Sequence, residues 1–250
     1  MSFDCRSIRL VIAILPVLVA TASRGSGGET PDHALLTDLL REHVIDGNVD
    51  YAALGADRRL TLYLEQVGTT CPDSIHDTRE RLAFWINAYN AFTLRLVLDH
   101  PSVTSIRDIT KDGREPWDIR WIVICGTRYS LNAIEHDILR MRFHEPLIHM
   151  ALVCAARSCP PLRREAYRGD NLDAQLADNA HQFLTDTTKN RYDPRTNTLY
   201  LSEVLRWYAD DFVERYGSSV RYALAILGVH PPSPPTVSYL PYDWTLNGDR

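Results

Sequence analysis

One stretch, "TRERLAFWINAYNAFTLRLVL" from Thr78 to Leu98, constrains this fold more than any other. Leu82, Trp85, Ile86, Tyr89, Thr93 and Leu96 recur at steps of three and four, as on one face of a helix. Ala83, Asn87, Asn90, Leu94 and Val97 line the adjoining strip, leaving Phe84, Ala88, Ala91 and Arg95 to face water. A helix apolar over so much of its circumference belongs at the centre of a domain, packed on several sides. Asn87 and Asn90 then lie inside, where an unsatisfied polar group costs about 1–3 kcal/mol, so both need partners. His100-Pro101 ends the element.

Around this helix the pattern predicts shorter elements. Leu35, Leu36, Leu39 and Leu40 suit a helix from Pro31 to about His43, followed by a turn at Asp46-Gly47-Asn48. A second short helix is expected over 59–67, and a β-hairpin over 121–131 with Gly126-Thr127 at its tip. Asn132 with Glu135 three residues on reads as a capping box, opening a helix that turns Ile134, Ile138 and Met141 inward. The apolar run from Leu147 to Cys154 reads as a strand buried on both faces. Helices follow over 172–184 and 220–227, with a strand over 198–201 and a helix that Ser202 caps and Gly217 ends. The expected fold is α+β: a helix-rich single domain, residues 31–250, around a small buried sheet.

The N-terminus has the parts of a secretory signal: Arg6 and Arg9, an apolar run from Leu10 to Ala20, and Ala20-Thr21-Ala22 before a cut at Ser23. The reading is a signal peptide over residues 1–22 and a flexible Gly/Ser-rich leader over 23–30, placing the protein in the periplasm or outside the cell. No later stretch approaches the ~18 apolar residues of a membrane helix, so no stable span is expected after cleavage. A net charge of −5 argues against a nucleic-acid partner, which needs a concentrated basic surface. Cleavage leaves Cys71, Cys125, Cys154 and Cys159, and four cysteines in an oxidising compartment allow three full pairings.

"AFWINAYNAFTL" (Ala83 to Leu94), "SLNAIEHDILR" (Ser130 to Arg140) and "HMALVCAARSCPPL" (His149 to Leu162) resemble the domain-of-unknown-function family 547. "VDYAAL" (Val49 to Leu54) and "YDWTLN" (Tyr242 to Asn247) fit it too. The resemblance implies one domain of a kind found in exported bacterial proteins and in plant proteins. It implies no reaction.

For chemistry the residues point first to Cys154, at the end of the expected strand where the chain enters a loop. A thiol there is a nucleophile, an inert buried group or half of a disulfide, with Cys159 the near partner; a reversible bridge would mean redox chemistry. In a strand, His149 points away from Cys154, which makes His136 the expected base. Asn87 or Asn90 would orient it or hold an oxyanion. Arg157 and Arg163, with Arg164 and Arg168, form a cluster suited to an anionic group, beside Glu135 and His149. The aromatic tail through Tyr239, Tyr242 and Trp244 packs over the core or lines a groove. The His and Cys spacings match no metal motif, and neither metal nor cofactor is expected. Two functions follow: a thiol-dependent hydrolase or acyltransferase acting on a peptide or cell-envelope substrate, or a binding and assembly module for a small molecule, an anionic ligand or a partner protein.

Overall fold

The structure is a computed structural model, and it describes residues 30–249. The expected signal sequence and all but the last residue of the leader lie outside the described residues. The fold is α+β and rich in helix, and its buried apolar side chains form one continuous core. None of the helices among the described residues is long and apolar enough to cross a membrane.

The central helix runs Thr78–Leu98, with the Asp77 carboxylate accepting from the Arg79 and Glu80 N–H groups at 2.8 and 2.9 Å. The strip expected to face water does not: Phe84, Ala88 and Ala91 have no exposed surface. Only Arg95 on that strip reaches the solvent side, paired with Asp99 at 2.7 Å. The helix is enclosed because Arg58–Thr69, Ala133–Arg140, Gly169–Asn171 and Leu172–Thr185 all pack against it. A wrapped helix has no solvent strip for periodicity to find.

The β-structure is distributed over three small sheets. Val44–Ile45 and Asn48–Asp50 form a hairpin whose turn residues Asp46 and Gly47 take φ of 49° and 78°. The C-terminal Gly248–Asp249 adds a parallel strand to it, pairing Val49 with Gly248, so the two ends of the domain are joined. The expected hairpin is present as Ile122–Ile124 against Thr127–Tyr129, turning at Cys125 and Gly126. Arg191–Asp193, Thr198–Ser202 and Thr236–Leu240 make the third sheet. Cys71 and Cys125 form a disulfide that ties the end of the Arg58–Thr69 helix to that hairpin. Closing a loop with a sequence separation of 54 restricts the unfolded chain by about 2–4 kcal/mol. A Cys71→Ser/Cys125→Ser protein is therefore expected to lose about 2–4 kcal/mol in urea unfolding, with an unchanged helical circular-dichroism signal.

The strand expected over Leu147–Cys154 is absent. Pro146–Met150 is instead a turn of 3-10 helix, with the Glu145 carboxylate accepting from Leu147 N–H at 3.0 Å, and the chain continues irregularly beyond it. An apolar run of that length reads the same way in a buried strand and a buried helical turn. What replaces a β-ladder is a pair of side-chain clamps. Asn90 donates to Ala151 O and accepts from Val153 N–H, both at 2.9 Å. Asn87 does the same to Tyr167, at 2.7 and 2.8 Å. The other side of the segment is held by the C-terminal chain, where Arg157 N–H donates to Thr245 O at 2.7 Å and Asn247 N–H to Ala155 O at 3.0 Å.

Candidate functional site

This clamped segment forms one wall of a cavity of about 270 Å³. Its floor is buried: Tyr89 from the central helix, Glu135, His149, Leu152 and Cys159. Its rim is aromatic and more exposed: Trp117, Trp207, Tyr242 and Trp244. The rim rings support one another, with Tyr242 and Trp244 centroids 4.5 Å apart and Trp207 and Trp244 stacked at 5.8 Å.

Glu135 reaches the floor from the helix Ala133–Arg140. Ala133–Arg140 has π-helical hydrogen bonding, a geometry found often at functional sites. The expected capping box is not formed. Asn132 has helical backbone and makes no cap; Ser130 Oγ accepts from Ala133 N–H at 3.1 Å, and Asn132 donates to Asp118 at 2.8 Å. Ile134 and Ile138 are buried as expected, but Met141 is 68% exposed, where the helix narrows into a short α turn.

His149 is the most constrained group on the floor. Its side chain is fully buried, and Tyr208 stacks on its ring at 3.7 Å. Nε2 lies 2.6 Å from Asp211 Oδ2, and Arg140 grips the same carboxylate through two hydrogen bonds of 2.7 Å. Burial holds the imidazole below its ordinary pKa, outweighing the opposite pull of Asp211 and Glu135. The ring is therefore neutral near pH 7, and the network assigns its proton to Nε2, donated to Asp211. Nδ1 is buried without a hydrogen-bond partner among the described residues; the Glu135 carboxylate is 3.9 Å away.

Arg140, then His149, holds the Asp211 carboxyl far below the usual carboxylate range. A carboxyl with a depressed folded pKa stabilises the fold fully above its unfolded value, about 3.9, and that stability is lost as the pH falls further. Asp211→Asn is thus expected to flatten the dependence of stability on pH below about 4. Urea midpoints for both proteins between pH 3 and 7 check this.

Two thiols line the same cavity. Ala155, at φ 59°, turns the chain so that Cys154 N–H donates to the Cys159 sulfur at 3.1 Å. Tyr242 O–H donates to that sulfur at 3.2 Å and lies 3.4 Å from Cys154 Sγ. Burial alone would raise the pKa of Cys159. Hydrogen bonds from the Cys154 thiol, the Tyr242 hydroxyl and the backbone at Ala156 and Cys154 outweigh it and hold Cys159 below an ordinary thiol. Cys154 is pushed well up, because its proton is held on the Cys159 sulfur and because it is buried. The pair thus gives up its first proton more readily than an ordinary thiol and holds its second more tightly.

The other residues singled out from the sequence lie elsewhere. His136 is not part of the cavity wall: its Nδ1 is 3.2 Å from Arg140, and its ring lies 6.5 Å from Tyr208. Asn87 and Asn90 have both amide groups occupied by backbone, as described above. Arg157 is exposed, and Arg163 is spent on Glu165 at 2.8 Å and Asp178 at 2.5 Å. Arg164 donates to Arg41 O and Arg168 pairs with Asp170; Arg163 and Arg164 line one pocket, apart from Arg157 and Arg168. Sequence reasoning missed Tyr208 and Asp211. The aromatic pair Trp207-Tyr208 beside Asp210-Asp211 was their one signal, in a run read as a single helix that is broken into three short turns.

A family model described as "Protein of unknown function, DUF547" matches residues 48–184. The chain belongs to that family. The DUF547 match takes in the central helix, Glu135, His149 and both thiols, while Asp211 and the rim residues Trp207, Tyr242 and Trp244 lie beyond it. No curated protein matches the chain, and no solved structure does.

Proposed function

We propose that this DUF547 domain is a thiol-dependent acyl-transfer enzyme, a hydrolase or acyltransferase that works in the periplasm or outside the cell. One observation carries the reading: a thiol pair set up to hold one negative charge and a neutral, Asp211-oriented histidine with a free Nδ1 line the same cavity. Export is supported by the signal-like N-terminus and fits the Cys71–Cys125 disulfide.

Cys154 is the attacking sulfur, since it is the less buried of the two. As its sulfur bonds to the carbonyl carbon, its proton passes to Cys159. The bond to the leaving group then breaks, and the leaving group departs with that proton. In the second step water attacks the thioester, giving a proton to His149 Nδ1. His149 returns it to the Cys154 sulfur as the carbon–sulfur bond breaks, restoring the starting state. His149 takes the part the sequence assigned to His136, and Asp211 the orienting part assigned to the asparagines. The rival reading, a module for anionic ligands, has little support in this cavity, whose wall includes no Lys or Arg.

Reduced protein treated with p-nitrophenyl butyrate tests the reading. The expected result is a burst of nitrophenol with a butyryl adduct on Cys154, absent from Cys154→Ala. An unchanged burst in Cys154→Ala, or no acylation of the native protein, would overturn it.

A further inference from the structure

The floor of the cavity holds a buried carboxylate, Glu135, that the acyl-transfer steps do not use. Glu135 Oε1 and His149 Nδ1 face each other at 3.9 Å, both buried. With the His149 proton on Nε2, both atoms are acceptors, and Nδ1 has no donor among the described residues. Two buried acceptors at that separation suit one shared donor lying between them. The Tyr208 hydroxyl donates to the Glu135 carboxylate, but the wall supplies no cation to meet its charge, because none of its residues is Lys or Arg. Arg140, the nearby guanidinium, is committed to Asp211. Above this floor stand the rings of Trp117, Trp207, Tyr242 and Trp244, which favour a cation and the alkyl chain that carries it.

We propose that Glu135 and His149 Nδ1 together bind a primary ammonium group on the leaving portion of a substrate, whose alkyl chain runs out along the tryptophan rim and whose departure frees Nδ1 for the water of the second step. A primary ammonium has N–H donors for both acceptors and the charge that Glu135 lacks a partner for; a quaternary ammonium has only the charge. The inference names the substrate class of the acyl-transfer cavity and rests on that reading only in taking this cavity as the substrate site.

The test is binding of n-hexylammonium, tetramethylammonium and hexanoate to the full reduced protein, followed by tryptophan fluorescence and calorimetry. n-Hexylammonium is expected to bind at least about 10-fold more tightly than either of the others, and Glu135→Gln to weaken it by about 10-fold or more. Equal binding of hexanoate or tetramethylammonium would overturn the proposal, and that comparison needs no variant. A folded Glu135→Gln protein that binds n-hexylammonium as the native one does would overturn it too. The p-nitrophenyl butyrate assay on the native protein separates the two readings. Ammonium preference in a native protein whose Cys154 is not acylated supports the site and sinks only the acyl-transfer reading. An acylated Cys154 in a cavity without ammonium preference sinks only the site.

Discussion

Asn90→Leu is expected to destabilise the fold by about 2–6 kcal/mol, although leucine fits a buried helical position and has the better helix propensity. The cost comes from what the amide holds. Its removal leaves Ala151 O and Val153 N–H without their partner in the interior. Each orphaned group costs about 1–3 kcal/mol. Urea unfolding gives the number, and a loss under 1 kcal/mol would mean that the segment finds other partners. The same clamp fixes the backbone one residue before Cys154, so milder losses of stability should bring larger losses of thiol reactivity.

Removing Cys159 has the second large effect, on chemistry. In the native pair, the Cys159 sulfur gathers donors from Cys154 N–H and Tyr242 O–H and accepts the proton of Cys154. Cys159→Ala removes the hydrogen bond that is the largest cause of the raised Cys154 pKa, but it also takes away the base that accepts the Cys154 proton, and burial still holds the thiol up. With no base beside the attacking sulfur, alkylation of Cys154 by iodoacetamide at pH 7 is expected to slow by about 100-fold or more. An unchanged rate would show that Cys154 ionises without help from its neighbour.

How far the site was readable from the sequence depends on which physical signal each part leaves. The central helix is plain from spacing, because Leu82, Ile86, Tyr89 and Thr93 repeat at helical steps. Its enclosure is not, since Phe84, Ala88 and Ala91 are covered by segments distant in the chain. The hairpin is local and readable, although its turn falls at Cys125-Gly126, one residue before the expected Gly126-Thr127, and its disulfide to Cys71 is not readable. The preference for His136 over His149 followed from strand alternation across 147–154. On a 3-10 turn that alternation does not hold, and His149 sits on the cavity floor with Cys159. Asp211 is 62 residues from His149 and approaches it only through the tertiary fold. Asn87 and Asn90 were correctly read as needing partners; that the partners are the backbone of the thiol-bearing segment is a long-range fact.

The acyl-transfer reading stands on a thiol pair that gives up its first proton below the ordinary thiol range inside this cavity. Its most direct test is the pH dependence of iodoacetamide alkylation of the reduced protein, with the modified residue located by mass spectrometry. Adducts are expected on the Cys154–Cys159 pair, mainly on Cys154, with the rate reaching half its maximum below the ordinary thiol value of about 8.5. A half-maximal rate at or above about 8.5, or thiols that resist alkylation throughout, would contradict it.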